Sequence, residues 1–344
     1  MDNIKSLIRE NIVTLSPYSS ARDEYLGTEG IFLDANENPF GNLNRYPDPN
    51  QYRLKQILSS QKKVALENIL VGNGSDEIID LVQRVFCEPK EDAVIICPPT
   101  YGMYQVYATI NNLKLIEIPL TNDFQLNVAE ILEQKAKILY LCSPNNPTGN
   151  SLENLEIIIQ NFNGIVFLDE AYIDFSEQPS LVEKIKQYPN LIVSQTFSKA
   201  RGLASARVGV AYANAEIIAF LSKVKPPYNV SKSNQESAVN SLSDEENFKK
   251  NTTLIVEERE KLKSALLQIE FVTKIYPSDA NFLLVEMNNS TEIFETLIQK
   301  QIITRNRNSV VKNTIRITVG TPQENQLLLY TLQLIADEKS IIYR

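Results

Sequence analysis

Six short apolar runs punctuate the middle of this 344-residue chain: Ala93–Cys97, Leu113–Ile118, Ile138–Cys142, Ile165–Leu168, Leu191–Val193 and Val208–Ala211. Segments able to form helices separate most of them, namely Glu77–Phe86, Tyr101–Asn111, Asn127–Glu133 and Leu152–Phe162. A strand apolar at every position is covered on both faces, and an intervening helix is the crossover that parallel pairing requires. The pattern predicts an α/β domain whose mainly parallel sheet is flanked by helices. Pro226-Pro227 interrupts the chain, and the polar-amphipathic stretch from 233 to 269 predicts one long helix. A strand at Phe282–Glu286, a helix near Glu292–Lys300, a strand at Thr314–Val319 and a last helix predict a smaller α+β domain. Thr321-Pro322-Gln323-Glu324 fits a capping box with proline at the first helical position. The expected division is an N-terminal arm over 1–30 with an amphipathic stretch at Ile4–Ile12, a large domain over 31–232, and a small domain over 233–344 that packs with the N-terminal arm.

In open α/β sheets ligands bind beyond the carboxyl ends of the strands, so the residues that follow the runs matter most. Asp169-Glu170-Ala171-Tyr172 follows one run, and Thr196-Phe197-Ser198-Lys199 follows another, with Lys199 thirty residues after Asp169 and Arg207 eight further on. Ser143-Pro144-Asn145-Asn146-Pro147-Thr148-Gly149 follows a third run. One amine, one acid, one phenol, one amide, and hydroxyls with an arginine form the set that holds and uses pyridoxal 5'-phosphate, covalently through Lys199. Asp169 would keep the pyridine nitrogen protonated, Tyr172 and Asn146 would bond the ring's phenolic oxygen, and the freed Lys199 amine would carry the substrate's α-proton. That amine must be partly neutral near pH 7, which desolvation and a nearby cation favour.

The phosphate needs donors. Gly72-Asn73-Gly74-Ser75-Asp76-Glu77 precedes a helix whose N-terminus offers free N–H groups, with Gly74, Ser75 and Asp76 as its candidate residues. Ser75 is expected to cap that helix. Thr196, Ser198 and Arg207 add hydroxyl and guanidinium donors. Tyr101, in Pro98-Pro99-Thr100-Tyr101-Gly102, could stack on the ring. Two arginines of the small domain, Arg305 and Arg316, suit a substrate carboxylate or phosphate, whereas Arg305 and Arg307 stand about evenly between that role and plain solvation. Taken singly, each residue has an ordinary structural explanation: a strand-end acid, a surface lysine, a turn asparagine, a core tyrosine. Their joint order along the chain carries the argument.

Composition removes competitors. The chain has no histidine, which excludes Ser-His-Asp and Cys-His catalysis and His-ligated metals. Cys87, Cys97 and Cys142 are widely spaced and are expected as buried thiols of a reducing compartment. A net charge of −8 with no basic cluster argues against nucleic acid. No apolar stretch is long enough for a bilayer and no signal peptide is recognisable, so a cytoplasmic location is expected.

These residues resemble the fold-type I pyridoxal-phosphate-dependent aminotransferases and, within them, the histidinol-phosphate aminotransferase family. The likeness runs through Leu33–Gly41, Arg45–Asp48, Gly72–Glu77, Cys97–Tyr104, the Asn-Pro loop, Asp169–Tyr172, Ser198-Lys199, Pro226–Val230 and Arg316–Gly320. It implies transfer of the amino group of L-histidinol phosphate to 2-oxoglutarate, giving imidazole acetol phosphate and glutamate in histidine biosynthesis. It also implies a homodimer with active sites at the interface, where Tyr46 reaches the cofactor phosphate of the neighbouring subunit. Arg316 would bind the α-carboxylate, Arg305 the substrate phosphate or distal carboxylate, and Asn146 would lie beside the substrate. After Lys199 many relatives carry Ala-Phe-Gly, whereas this chain reads Ala200-Arg201-Gly202, with Arg201 expected to be exposed. An aromatic amino acid aminotransferase, a decarboxylase of a phosphorylated amino acid and a cofactor-binding regulator are the alternatives.

Overall fold

A computed structural model describes residues 4–18 and 30–342, with side chains up to 337. Residues 19–29 of the expected N-terminal arm lie outside the described residues. The central feature is a seven-stranded sheet built from β1 (Ile69–Asn73), β2 (Ala93–Ile96), β3 (Lys114–Glu117), β4 (Ile138–Cys142), β5 (Ile165–Asp169), β6 (Leu191–Thr196) and β7 (Val208–Ala213). Their spatial order is β1-β7-β6-β5-β4-β2-β3. Pairing is parallel from β3 to β6, and β7 runs antiparallel to both β6 and β1.

Alternation along each strand splits the core between the two faces of this sheet. In β4, Leu139 and Leu141 pack with Val166 and Leu168 on one face. Ile138 and Tyr140 pack with Ile165 and Phe167 on the other. All of these are essentially inaccessible to water. Each such aliphatic side chain contributes roughly 1.5–3 kcal/mol over its exposed state. The described N-terminal stretch packs on the second face of the large sheet through buried Ile4, Ile8 and Ile12, and not with the small domain as expected; it forms two short turns, Ile4–Leu7 and Glu10–Val13, not one helix.

A second, wholly antiparallel sheet contains β8 (Val272–Ile275), β9 (Phe282–Met287), β10 (Arg305–Asn306) and β11 (Thr314–Thr318) in the order β10-β11-β9-β8. It has its own core, in which Leu283, Val285, Ile315 and Ile317 meet Leu262 and Leu266 of one helix and Leu328, Leu332 and Ile335 of the last. That last helix, Pro322–Ile342, starts at the expected capping box. The Thr321 N–H donates to Glu324 Oε2 at 2.7 Å, and the Glu324 N–H donates to Thr321 Oγ1 at 3.3 Å.

The single long helix expected over 233–269 is instead two, Lys232–Ser243 and Glu245–Leu266. Asp244 breaks the run with a non-helical ψ of 58°, and its carboxylate accepts from the Asn247 N–H at 3.4 Å. Ser-Asp-Glu-Glu is a helix start embedded in helical periodicity, and the cap outweighs the periodicity. Ser75 is also placed differently: Gly74 occupies the N-cap position and Ser75 is the first helical residue of Ser75–Phe86. Glu77 takes over part of the capping by accepting the Asn73 N–H at 2.6 Å.

Candidate active site

The parallel strands bring their carboxyl ends to one edge of the large sheet. Asp169 ends β5, the Asn-Pro loop follows β4, Lys199 follows β6 and Gly74 follows β1. Because β7 is antiparallel, its beginning reaches the same edge, which is why Arg207 precedes its strand while the other residues follow theirs. β11 of the small sheet supplies Arg316 from the opposite side.

Together they enclose a cavity of ≈ 440 Å³, within the range of cofactor sites. Ser75, Asp76, Tyr101, Asn146, Asp169, Tyr172, Thr196, Ser198, Lys199, Arg207, Arg305 and Arg316 all line it, with Cys142, Ala171, Ala204 and Arg307. Gly74 adjoins it as the helix N-cap. Tyr46 does not reach it within the protomer; it is half-exposed, stacks on Tyr228 at 4.3 Å, and borders a separate surface cleft with Asn36, Arg45 and Lys232.

At the floor, the Asp169 carboxylate is 3% exposed. Its Oδ2 accepts from the Tyr104 hydroxyl at 2.8 Å, and its Oδ1 accepts from the Ala171 N–H at 3.0 Å. Burial raises its pKa from the ordinary 3.8 to about 6, against the opposing pull of those two bonds. The adjacent Glu170 is equally buried but faces away, accepting from Ser180 Oγ at 2.5 Å, the Leu181 N–H at 2.8 Å and Gln195 Nε2 at 2.9 Å. Glu170 fastens a loop, whereas Asp169 faces the cavity. Tyr104 itself is fully buried and lies flat against Tyr140 at 4.8 Å.

Lys199 is partly buried, with its ammonium 5.7 Å from the centre of the Tyr172 ring. Burial depresses its pKa, Arg316 adds to that, and Asp169 opposes it. Asn146 is 5% exposed and accepts from Arg316 Nη1 at 2.5 Å. The Arg316 guanidinium lies 5.2 Å from the Phe282 ring centre, and Phe282 meets Tyr172 edge-on at 5.2 Å, so the two sheets touch at the cavity wall. Burial pushes the Tyr172 hydroxyl well above its ordinary pKa, so it remains a donor.

At the other end, Asp76 Oδ2 receives Arg207 Nη2 at 3.3 Å and Asp76 Oδ1 receives the Tyr101 hydroxyl at 3.0 Å. A Cβ on Gly74 would stand 2.6 Å from Arg207 Nη2, so only glycine, at φ +77°, lets the guanidinium come so near the helix start. Gly209 of β7 serves the same junction: a Cβ there would lie 2.3 Å from the Ser75 nitrogen. Arg207 itself adopts a left-handed φ of 51°, the kind of strain that functional sites retain.

Arg201 is not exposed as expected. It retains 13% side-chain exposure, donates to Glu245 Oε1 at 2.7 Å and to the Ser241 carbonyl at 3.1 Å, and lies 3.6 Å from the Phe248 ring centre. It thus ties the Lys199 loop to the junction of the two helices at Asp244. The three cysteines are buried and free, and burial pushes the Cys97 thiol up to about 12 and the other two higher still. Among the described residues no group of metal-ligating side chains is found, and no helix is long and apolar enough to cross a membrane.

The model of the aminotransferase class I and II family matches residues 27–332. The histidinol-phosphate aminotransferase of Flavobacterium johnsoniae is 48% identical over 97% of this chain and 99% of its own. That of Bacteroides thetaiotaomicron is also 48% identical, again over 97% and 99%. Among solved structures, the Sinorhizobium meliloti histidinol-phosphate aminotransferase in complex with pyridoxal-5'-phosphate superposes with a TM-score of 0.80, at 23% identity, over 88% of this chain and 90% of that one. With a family model covering most of its length and relatives alike almost end to end, this chain belongs to the class I and II aminotransferases.

Proposed function

We propose that this protein transfers the amino group of L-histidinol phosphate to 2-oxoglutarate, in L-histidine biosynthesis, with pyridoxal 5'-phosphate held at Lys199. The observation that carries the reading is that one cavity joins the Lys199 amine, the Asp169 carboxylate, a helix N-terminus beside Arg207, and a group of arginines from the second sheet. The residues fit the cofactor. Asp169 is a buried acid that shares its cavity face with two hydrogen-bond donors and no paired cation, so a protonated ring nitrogen would complete it. The Ser75–Phe86 N-terminus, Thr196, Ser198 and Arg207 offer donors for a phosphate. When bound, the cofactor supplies an aldehyde that takes up amines and a ring that draws electrons away from the α-carbon.

Asp169, its carboxylate held in place by Tyr104 and the Ala171 N–H, would keep the ring nitrogen protonated. Tyr172 and Asn146, which line the same cavity, would donate to the ring's phenolic oxygen, and Tyr101 would cover the ring. Lys199, with its lowered pKa, would accept the proton from the substrate α-carbon and deliver it beyond the nitrogen, to the carbon of the cofactor's former aldehyde, so that the amino group stays behind on the cofactor. Arg316, fixed by Asn146 and Phe282, orients the substrate anion so that this proton faces the amine. Arg305 adds a second cation beside it.

Supporting the same reading, Tyr46 lies in a segment whose Ile31, Leu33, Phe40 and Leu43 are also exposed, apolar area suited to covering by a second copy of the chain, into whose cavity Tyr46 would reach. The separate cores of the two sheets support two domains, but Ala238, Val239 and Leu242 of the Lys232–Ser243 helix pack in the large sheet's core, which moves the boundary from 232/233 to the helix break at Asp244. Three buried free thiols suit a cytoplasmic location. The test is turnover: purified protein given both substrates should form glutamate in strict proportion to histidinol phosphate consumed, without carbon dioxide. Release of carbon dioxide, or turnover of tyrosine alone, would overturn the assignment.

A further inference from the structure

Arg307 lies outside the stretches that carry the family likeness, yet it lines the cavity. Its N–H donates to the Thr314 carbonyl at 2.9 Å, which extends the β10–β11 ladder by one step. Two residues beyond Arg305, it shares that residue's face of the ladder, and Arg305 pairs directly opposite Arg316. Three guanidiniums therefore converge on one end of the cavity.

Such a cluster is unfavourable by itself, because like charges opposite one another in a sheet repel. Burial and the two neighbouring arginines lower the Arg307 pKa. Elsewhere Arg9, Arg45, Arg84, Arg201, Arg207 and Arg259 each pair with a carboxylate. Among the described residues no carboxylate pairs with Arg305, Arg307 or Arg316. Arg316 has partners in Asn146 and the Phe282 ring. The Nε of Arg307 is buried without any hydrogen-bond partner, a costly arrangement unless a ligand atom completes it.

The two amino donors of the proposed reaction differ at this end. In glutamate the carbon bearing the amine carries a carboxylate, with two oxygens and one charge. In histidinol phosphate the same carbon carries a phosphate ester arm, with three terminal oxygens and up to two charges. One guanidinium satisfies a carboxylate bidentately, while the larger anion has an oxygen and a charge left over. We propose that Arg307 is the specificity-determining residue that reads the phosphate, donating to the oxygen a carboxylate lacks and contributing little to glutamate. This rests on the substrate reading given above.

The test uses the cofactor-loaded wild type, Arg307→Gln and Arg307→Lys near pH 8. Three quantities are measured: kcat/KM for histidinol phosphate, kcat/KM for glutamate, and competitive inhibition by inorganic phosphate and by acetate. Loss of one charge-assisted bond predicts a fall of roughly ten- to hundredfold for histidinol phosphate in Arg307→Gln, and less than about threefold for glutamate. Inhibition by phosphate should weaken by a similar factor while inhibition by acetate holds, and Arg307→Lys should recover part of both losses. Equal losses for the two substrates, or none for either, would overturn the proposal. If the wild type accepts glutamate and not histidinol phosphate, the substrate reading fails by itself. Phosphate inhibition then decides on Arg307 alone: weakening in Arg307→Gln supports it as a phosphate reader, and no change rejects it.

Discussion

The two ends of the cavity hold their cations in opposite ways. Beneath β1 and β7, Arg207 is paired with Asp76, Asp76 is further held by Tyr101, and Gly74 lets the guanidinium sit against a helix start. Beneath the small sheet, Arg305, Arg307 and Arg316 share one end and, among the described residues, have no carboxylate of their own. The first end is neutralised and braced before any ligand arrives, which suits a group that stays through every turnover. The second is charged and incomplete, which suits anions that come and go. Lys199 and Asp169 stand between the two.

Lys199→Ala should have the largest effect, because it removes the group both ends serve. Turnover should fall by roughly 10³- to 10⁴-fold or more, and the visible absorbance of lysine-bound cofactor should vanish. A retained band would show that another amine holds the cofactor. Arg316→Lys, at the incomplete end, should lower kcat/KM by roughly a hundredfold for phosphate and carboxylate substrates alike, since lysine cannot donate bidentately. Cofactor affinity should not move, as equilibrium dialysis can establish. Gly74→Ala, at the braced end, should do the reverse. The added methyl displaces Arg207, so cofactor binding should weaken by about tenfold while KM for either substrate holds. If both variants change the same parameter, the contrast between the ends is wrong.

Smaller effects sharpen the middle. The folded-state pKa of Asp169 is raised, so its stabilising share is complete below about pH 4 and is lost as the pH rises through about 6. Without cofactor, Asp169→Asn should therefore be more stable than wild type above pH 6, by up to about 3 kcal/mol, and equal to it near pH 4, as denaturant titrations at several pH values will reveal. With cofactor bound, the same substitution should cost most of the turnover. Tyr104→Phe removes one bond to that carboxylate, worth about 1–2 kcal/mol. Without cofactor it should move the Asp169 titration upward, and it should reduce kcat several-fold without altering KM.

Much of this was legible because the chemistry sits in contiguous motifs at strand ends. The runs at β4, β5 and β6 marked the sheet, and the residues following them marked the cavity floor. Less legible was whatever depended on direction or on distant pairing. The antiparallel course of β7 leaves no trace in its apolar run, yet it decides that Arg207 enters from the start of the strand. β1 ends in Gly72-Asn73 at the start of the glycine-rich stretch, so it reads as loop. Tyr104 looks like any core aromatic one turn along from Tyr101, and nothing local shows that its hydroxyl reaches Asp169, 65 positions away. Arg201 looked exposed because its acceptor, Glu245, follows a helix break that periodicity concealed. Arg307 carried no motif, and only the register of β10 against β11 brings it beside the other two arginines.

The most direct test of the central claim is an absorbance titration of the purified protein with L-histidinol phosphate and no amino acceptor. The account predicts that the band of lysine-bound cofactor collapses stoichiometrically to that of its amine form and returns on addition of 2-oxoglutarate. A band that is present but indifferent to histidinol phosphate would contradict it.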